Sequence, residues 1–288
     1  MPNEISCELP HDLVQKVLGN IEIPVCPEML TEAMRESQKD EPDLSRLADI
    51  ISSDAGMSAA ALKLANSPLF GTSSPVPSVR KAVERLGTRN VVCVVVASAL
   101  RASITGLPAL WIDQFWKRTL LLALLSSLIA RRQYGISADA AYTYALFHDA
   151  AIPLIMRRFP DYADLMEKCR EDGTLLSEAE EKHFHCTHPI VGSLLVRNWG
   201  LPPILGQAIR FHHEADAYDL PDRSLPGSAL SLIAVTHVAE HLLGESMDGD
   251  IEVGAELFQR AVDFLGISGD DLDELRQQLA RAVENAAS

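Results

Sequence analysis

The spacing of apolar residues predicts helices along most of the chain. In the first third, residues 44–51, 56–65 and 79–86 place apolar side chains on one helical face. Each stretch follows a residue whose side chain suits an N-terminal cap, namely Asp43, Asp54 and Ser78. We therefore expect a series of short helices in this region.

The run Val91–Val96 is ambiguous because β-branched residues favour strands. Its neighbours have helical periodicity, and no nearby segment offers a pairing strand. We interpret the run as a buried helix. The segment 106–108, Gly-Leu-Pro, is the best candidate for a boundary between two lobes.

Beyond this boundary, residues 111–132 predict a long helix with an apolar middle, which indicates burial on most sides. Residues 138–159 predict another helix, interrupted near Pro153 and carrying His148 and Asp149. Helices over 162–170 and 177–184 are expected on the surface of the core.

The remaining pattern is also helical, with helices over 188–199, from Pro202 to His212, over 229–243, and two amphipathic helices at the end. Neither a convincing strand pair nor a repeat of twenty to fifty residues is visible in the sequence. We predict an all-α fold of two packed helical lobes, residues 1–107 and residues 108–288.

Composition narrows the classes of function. The apolar fraction of 47% and charged fraction of 23% are those of a soluble globular protein. The net charge of −15 disfavours nucleic acid and membrane surfaces as partners. Five separated cysteines without a CxxC pair, no apparent leader and no apolar run of spanning length indicate a cytoplasmic protein.

Histidines and acids supply the candidate chemistry. His148-Asp149 is followed by His188 and by the pair His212-His213. Imidazole and carboxylate together bind divalent metals, so these residues predict either one ion held by several helices or an inert polar core. His11, His183 and His185 are expected at the surface. His237 and His241 lie four positions apart and could face a ligand, but the surface is the expected location in an amphipathic helix.

Other common catalytic signatures are missing from the sequence. It contains no GxSxG, GxGxxG or GKS/T motif, and no cysteine has the context of an activated nucleophile. No catalytic residue is therefore assigned.

Several segments together resemble the HDOD family, relatives of the HD metal-dependent phosphohydrolases. The first lobe carries Asp43-Leu44, Ile50–Asp54, Leu62–Gly71 and Ser78–Gly87, and the second carries Leu146–Asp149, His188–Gly192, Trp199–Pro202 and Ala208–His213. The resemblance implies two packed helical lobes, the second like an HD domain. It also implies a regulatory module in bacterial signalling that binds other signalling proteins.

Three positions depart from the HD pattern. Arg118 stands where HD hydrolases have their first histidine, Ile152 where a cyclic-dinucleotide phosphodiesterase has a catalytic lysine, and Glu240 where the last aspartate is expected. A guanidinium cannot ligate a metal, so Arg118 is expected to bind phosphate if it has a ligand.

Two hypotheses follow from the resemblance and its departures. The first is a non-catalytic regulatory module that binds partner proteins. The second is a metal-dependent phosphohydrolase that acts on a nucleotide or phosphodiester with a degraded site. The candidate cofactor is a divalent ion, Mn, Fe, Ni, Zn or Mg, and its candidate ligands are His148, Asp149, His188, His212, His213 and Glu240.

Overall fold

The computed structural model describes residues 19, 21–37, 39–66, 75–219, 225–247 and 253–287. Across these ranges the regular structure is helical and contains no strand, so the all-α prediction is confirmed. Residues 67–71 of the family-like segments lie outside the described ranges. No helix in the described part of the chain combines the length and hydrophobicity needed to cross a membrane.

The chain divides into two compact units. One comprises Pro24–Thr105 with Asn198–Gly200, and the other comprises Gly106–Arg197 and Leu201–Ser288 with the described residues up to Ile23. Whether residues 1–107 and 108–288 fold as separate domains stays a prediction.

The unit around Pro24–Thr105 contains four helices. They are α1 (Glu28–Ser37), α2 (Leu44–Ser52), α3 (Ala55–Ala65) and α4 (Val79–Ser103). Asp43, Asp54 and Ser78 accept hydrogen bonds from backbone N–H groups in the first turns of α2, α3 and α4, as predicted. Gly87 has φ 75° and kinks α4, after which the buried valine-rich run 91–96 continues as a helix.

The other unit contains ten helices among its described residues. They are α5 (Ala109–Arg131), α6 (Ala138–Phe147), α7 (Ile152–Arg158), α8 (Tyr162–Asp172), α9 (Leu176–Phe184), α10 (His188–Asn198), α11 (Pro203–Phe211), α12 (Gly227–Met247), α13 (Ala255–Leu265) and α14 (Gly269–Ala287), with a 3-10 helix at Ala215–Asp219. Helix α12 is buried on nearly all sides because it packs against α5, α6, α11, α13 and α14.

One predicted helix is two helices in the structure. The segment 138–159 is broken at residues 148–151, which form a turn between α6 and α7. Pro153 lies in the first turn of α7, where its missing N–H costs no intrahelical hydrogen bond. The break therefore precedes the proline, and it places His148 and Asp149 in a turn.

Candidate metal centre

The end of α6 fixes the orientation of His148. Its Nδ1 lies 2.8 Å from the carbonyl oxygen of Ala145, and because a carbonyl only accepts, Nδ1 carries the hydrogen. Nε2 then lies 2.8 Å from Oδ2 of Asp149. The turn that follows α6 thus places a histidine and an aspartate in direct contact.

The end of α11 repeats this arrangement with His212. Nδ1 of His212 donates to the carbonyl oxygen of Ile209 at 2.6 Å, and Nε2 lies 3.4 Å from Oδ1 of Asp149. A backbone hydrogen bond at Nδ1 is a usual way to fix the tautomer of a histidine that ligates a metal through Nε2.

The first residue of α10, His188, is held by a buried carboxylate. Its backbone N–H and its Nδ1 each lie 2.8 Å from Oε2 of Glu180, whose Oε1 accepts from the hydroxyl of Tyr162. Nε2 of His188 lies 3.6 Å from Oδ1 of Asp149 and 2.9 Å from Nε2 of His213. Glu180 therefore sets which ring nitrogen of His188 faces Asp149.

These contacts form two groups of possible ligand atoms that share Asp149. The four-donor group consists of Asp149, His188, His212 and His213, and the three-donor group consists of His148, Asp149 and Glu240; within each group the ligand atoms lie no more than 4.8 Å apart. Arg118 reaches the three-donor group, with Nη2 3.4 Å and Nη1 3.5 Å from Oε1 of Glu240.

Burial separates the donors from solvent. Residue exposure is 0% for His188, 2% for His148, His212 and Glu240, and 4% for Asp149. His213 is half-buried, and the Arg118 side chain is 33% exposed. Among these residues, only His213 and Arg118 are partly accessible to solvent.

Electrostatics distinguishes the two groups. Burial opposes the charged form of His148, but the Asp149 carboxylate outweighs it and raises the pKa of His148 to about 9. Burial likewise opposes ionisation of Asp149, yet His148 and His212 hold the pKa of Asp149 well below its usual range. At neutral pH these two residues form a buried ion pair.

His212 and His213 of the four-donor group behave differently. Burial lowers the pKa of His212, and burial together with the His212 and His188 rings lowers the pKa of His213 well below its ordinary value. His212 and His213 are therefore neutral at pH 7, which is the form in which imidazole ligates metals.

Buried polar atoms test whether the residues fit an ion. Oδ1 of Asp149 and Nε2 of His212 lie 3.4 Å apart and have no hydrogen-bond partner within the part of the chain that the structure describes. Unsatisfied buried polar atoms are costly, and a cation between them would satisfy them. Three imidazoles and one carboxylate are also a suitable donor set for Zn, Fe, Ni or Mn. The four-donor group thus fits a divalent ion.

Comparison with known proteins identifies the family. The HDOD domain family matches residues 23–215, about two thirds of the chain. This protein belongs to the HDOD domain family. A protein of uncharacterised function from Treponema pallidum (strain Nichols) is 24% identical over 204 residues, and the match covers 67% of this chain and 38% of that protein.

Solved structures share the fold of this HDOD protein. An HDOD domain protein of unknown function from Geobacter sulfurreducens has a TM-score of 0.70 and 21% identity, covering 95% of this chain and 94% of that one. A protein from Shewanella amazonensis SB2B, named provisionally as a phosphohydrolase, has a TM-score of 0.72 and 22% identity, covering 94% of each chain. At these low sequence identities, the structural similarity shows a shared fold and nothing more.

The structure of this HDOD protein corrects one expectation about the residues around the centre. His237, expected at the surface, is 2% exposed; its Nε2 donates to the carbonyl oxygen of His212 at 2.7 Å, and its Nδ1 accepts from the Tyr218 hydroxyl at 3.0 Å. Helices α8 and α9, expected on the surface of the core, supply the buried side chains of Tyr162 and Glu180. The exposure predicted for His183 and His185 is confirmed, His241 is partly buried, and His11 lies outside the described ranges.

His237→Gln is expected to reduce the acid sensitivity of the HDOD fold. Burial lowers the pKa of His237 to about 3, whereas an unfolded histidine titrates near 6.5, so between these values only the unfolded chain takes up this proton. The stabilisation by His237 is complete above pH 6.5 and is lost progressively as the pH falls towards 3.

Urea unfolding at pH 6.5 and pH 5.5 measures this effect. One such histidine makes the free energy of unfolding fall by about 1 kcal/mol over that interval, and the Gln variant should lack this share. The exposed His183→Gln serves as the matched control and should behave like the wild type. Equal pH dependence in His237→Gln and the wild type would show that His237 is not responsible.

Proposed function

We propose that this HDOD protein is a non-catalytic signal-transduction module that acts by binding other signalling proteins. Its buried four-donor group holds one divalent ion that stabilises the fold. The family membership supports a signalling role, as does the name signal transduction protein, given provisionally to a structural relative from Marinobacter aquaeolei VT8. The observation that carries the non-catalytic assignment is the contact between Arg118 and Glu240.

Arg118 removes a ligand position from the centre. Its guanidinium has five N–H donors and no lone pair, so it cannot coordinate an ion, and it pairs with Glu240 at 3.4 Å. The burial of the donor atoms also supports a non-catalytic role, because a phosphate substrate must contact the ion that activates its hydrolysis.

A second candidate, a metal-dependent phosphohydrolase, is favoured by the same four-donor group. When bound there, a divalent ion supplies Lewis-acid chemistry at a phosphate. In this case Asp149, His188, His212 and His213 would hold the ion, and the partly exposed Arg118 would position the phosphate as a charged donor.

Hydrolysis assays separate the two candidates. Protein loaded with Mn²⁺ or Zn²⁺ is mixed with nucleotides, cyclic dinucleotides and bis(p-nitrophenyl) phosphate, beside Asp149→Asn prepared in the same way. The proposal predicts no difference in turnover between them. Turnover by the wild type that disappears in the variant would establish the phosphohydrolase instead.

Glu180→Gln is expected to weaken the affinity for zinc by about tenfold. The substitution preserves the side-chain volume but removes the carboxylate that orients His188 and increases its basicity. Loss of a residue that hydrogen-bonds to a metal ligand lowers metal affinity by about 10- to 100-fold. Zinc titration against a competing chelator measures the change. Glu181→Gln, an exposed neighbour on α9, is the matched control, and equal affinities in the two variants would contradict the positioning role of Glu180.

A further inference from the structure

The two donor groups of the centre have a carboxylate in common. The four-donor and three-donor groups share Asp149, so two ions held by them would both contact one carboxylate. Ions bridged in this way lie about 3.5–4 Å apart. Two ions could therefore bind side by side only if both groups were available to them.

The three-donor group already contains a cation that belongs to the chain. Both terminal nitrogens of Arg118 lie within 3.5 Å of Oε1 of Glu240, whose side chain is 2% exposed. The guanidinium remains protonated at all physiological pH values. An ion among His148, Asp149 and Glu240 would have to displace this group or accept a like charge beside it in a poorly solvated site.

The four-donor group has different neighbours. Its members are three imidazoles and one carboxylate, and the carboxyl group of Glu180 contacts His188 directly at 2.8 Å. The carboxylate of Asp149 is common to both groups, whereas the buried carboxyl group of Glu180 lies beside the four-donor group. An incoming cation is therefore favoured here and opposed beside Arg118.

We propose that Arg118 is a built-in cation that replaces a second ion, so that the centre takes one divalent ion, located in the four-donor group. The inference rests on the proposed function in assuming that this group binds an ion. Beyond the proposed function, the side chain of Arg118 on α5 sets the number of ions. A metal-ligating side chain at position 118 would make the second site available.

Zinc stoichiometry tests the proposal. Wild type, Arg118→His, Arg118→Lys and Lys117→His are saturated with Zn²⁺ and dialysed, and bound zinc is measured by plasma mass spectrometry. We expect one equivalent in the wild type, in the charge-preserving Arg118→Lys and in Lys117→His, which adds a histidine at the exposed neighbouring position. Arg118→His should bind two equivalents.

The outcomes test separately whether the centre binds an ion and whether Arg118 excludes a second one. No zinc in the wild type overturns the proposed ion and this inference together, whereas one equivalent in both the wild type and Arg118→His overturns the inference alone. Should Arg118→His fail to fold, calorimetric titration of the wild type decides: saturation at one equivalent supports the built-in cation, and saturation at two contradicts it.

Discussion

Asp149→Asn is expected to abolish zinc binding. Asp149 belongs to both donor groups, and its carboxylate lies 3.4 Å from Nε2 of His212 and 3.6 Å from Nε2 of His188. Asparagine keeps the volume but removes the charge that makes an ion favourable in a buried site. Loss of a residue that only hydrogen-bonds to a metal ligand lowers metal affinity by about 10- to 100-fold. Asp149 is itself a candidate ligand, so we expect its replacement to lower the affinity for Zn²⁺ by more than a hundredfold.

Thermal unfolding with and without Zn²⁺ provides a second readout. An ion that binds only the folded chain raises the melting temperature, so the wild type should shift and Asp149→Asn should not. Asp164→Asn, an exposed aspartate on α8, is the control and should shift like the wild type. An equal shift in all three proteins would place the zinc site elsewhere.

Gly192→Ala is expected to destabilise the fold by about 2 kcal/mol, since overpacking a close-packed site costs about 1–3 kcal/mol. A Cβ at Gly192 would lie 2.9 Å from Cγ2 of Ile209 and 3.5 Å from the carbonyl oxygen of His148. The branched Ile209 side chain yields little at this position, and its carbonyl group orients His212. The added methyl group therefore strains two elements that carry ligands.

Gly206→Ala on α11 is the matched control. A Cβ there would meet Cγ2 of Val196 at 3.5 Å, an ordinary contact, and alanine is favoured over glycine within a helix by about 0.5–1 kcal/mol. Urea unfolding should show Gly206→Ala at least as stable as the wild type and Gly192→Ala less stable. Equal stability of the two variants would mean that the close packing of Gly192 on α10 against Ile209 on α11 does not affect the free energy of unfolding.

Periodicity and capping residues were enough to predict most helices. The caps at Asp43, Asp54 and Ser78 fix where three helices begin, and these local signals do not depend on the rest of the fold. The valine-rich run 91–96 was interpreted correctly as a helix because its context outweighed its β-branched composition. Local signals located the break within residues 138–159 only approximately, because the turn lies at residues 148–151 and the interruption was predicted near Pro153.

The candidate ligands could also be found from sequence, but their supporting residues could not. Glu180 lies on α9, whose polar sequence resembles that of a solvent-exposed helix, and only the fold brings it to His188 eight positions later. His237 was misplaced because α12 is buried on nearly all sides, so the pattern of the helix does not distinguish a solvent face. The contact between Arg118 and Glu240 joins residues 122 positions apart. Tertiary packing creates all three features.

Anomalous diffraction from crystals of the zinc-loaded protein tests the account most directly. Data collected at the zinc edge locate each bound ion without reference to activity. We expect one peak, surrounded by Asp149, His188, His212 and His213, with Arg118 still paired to Glu240. No peak within this centre, or a second peak beside Glu240, would contradict it.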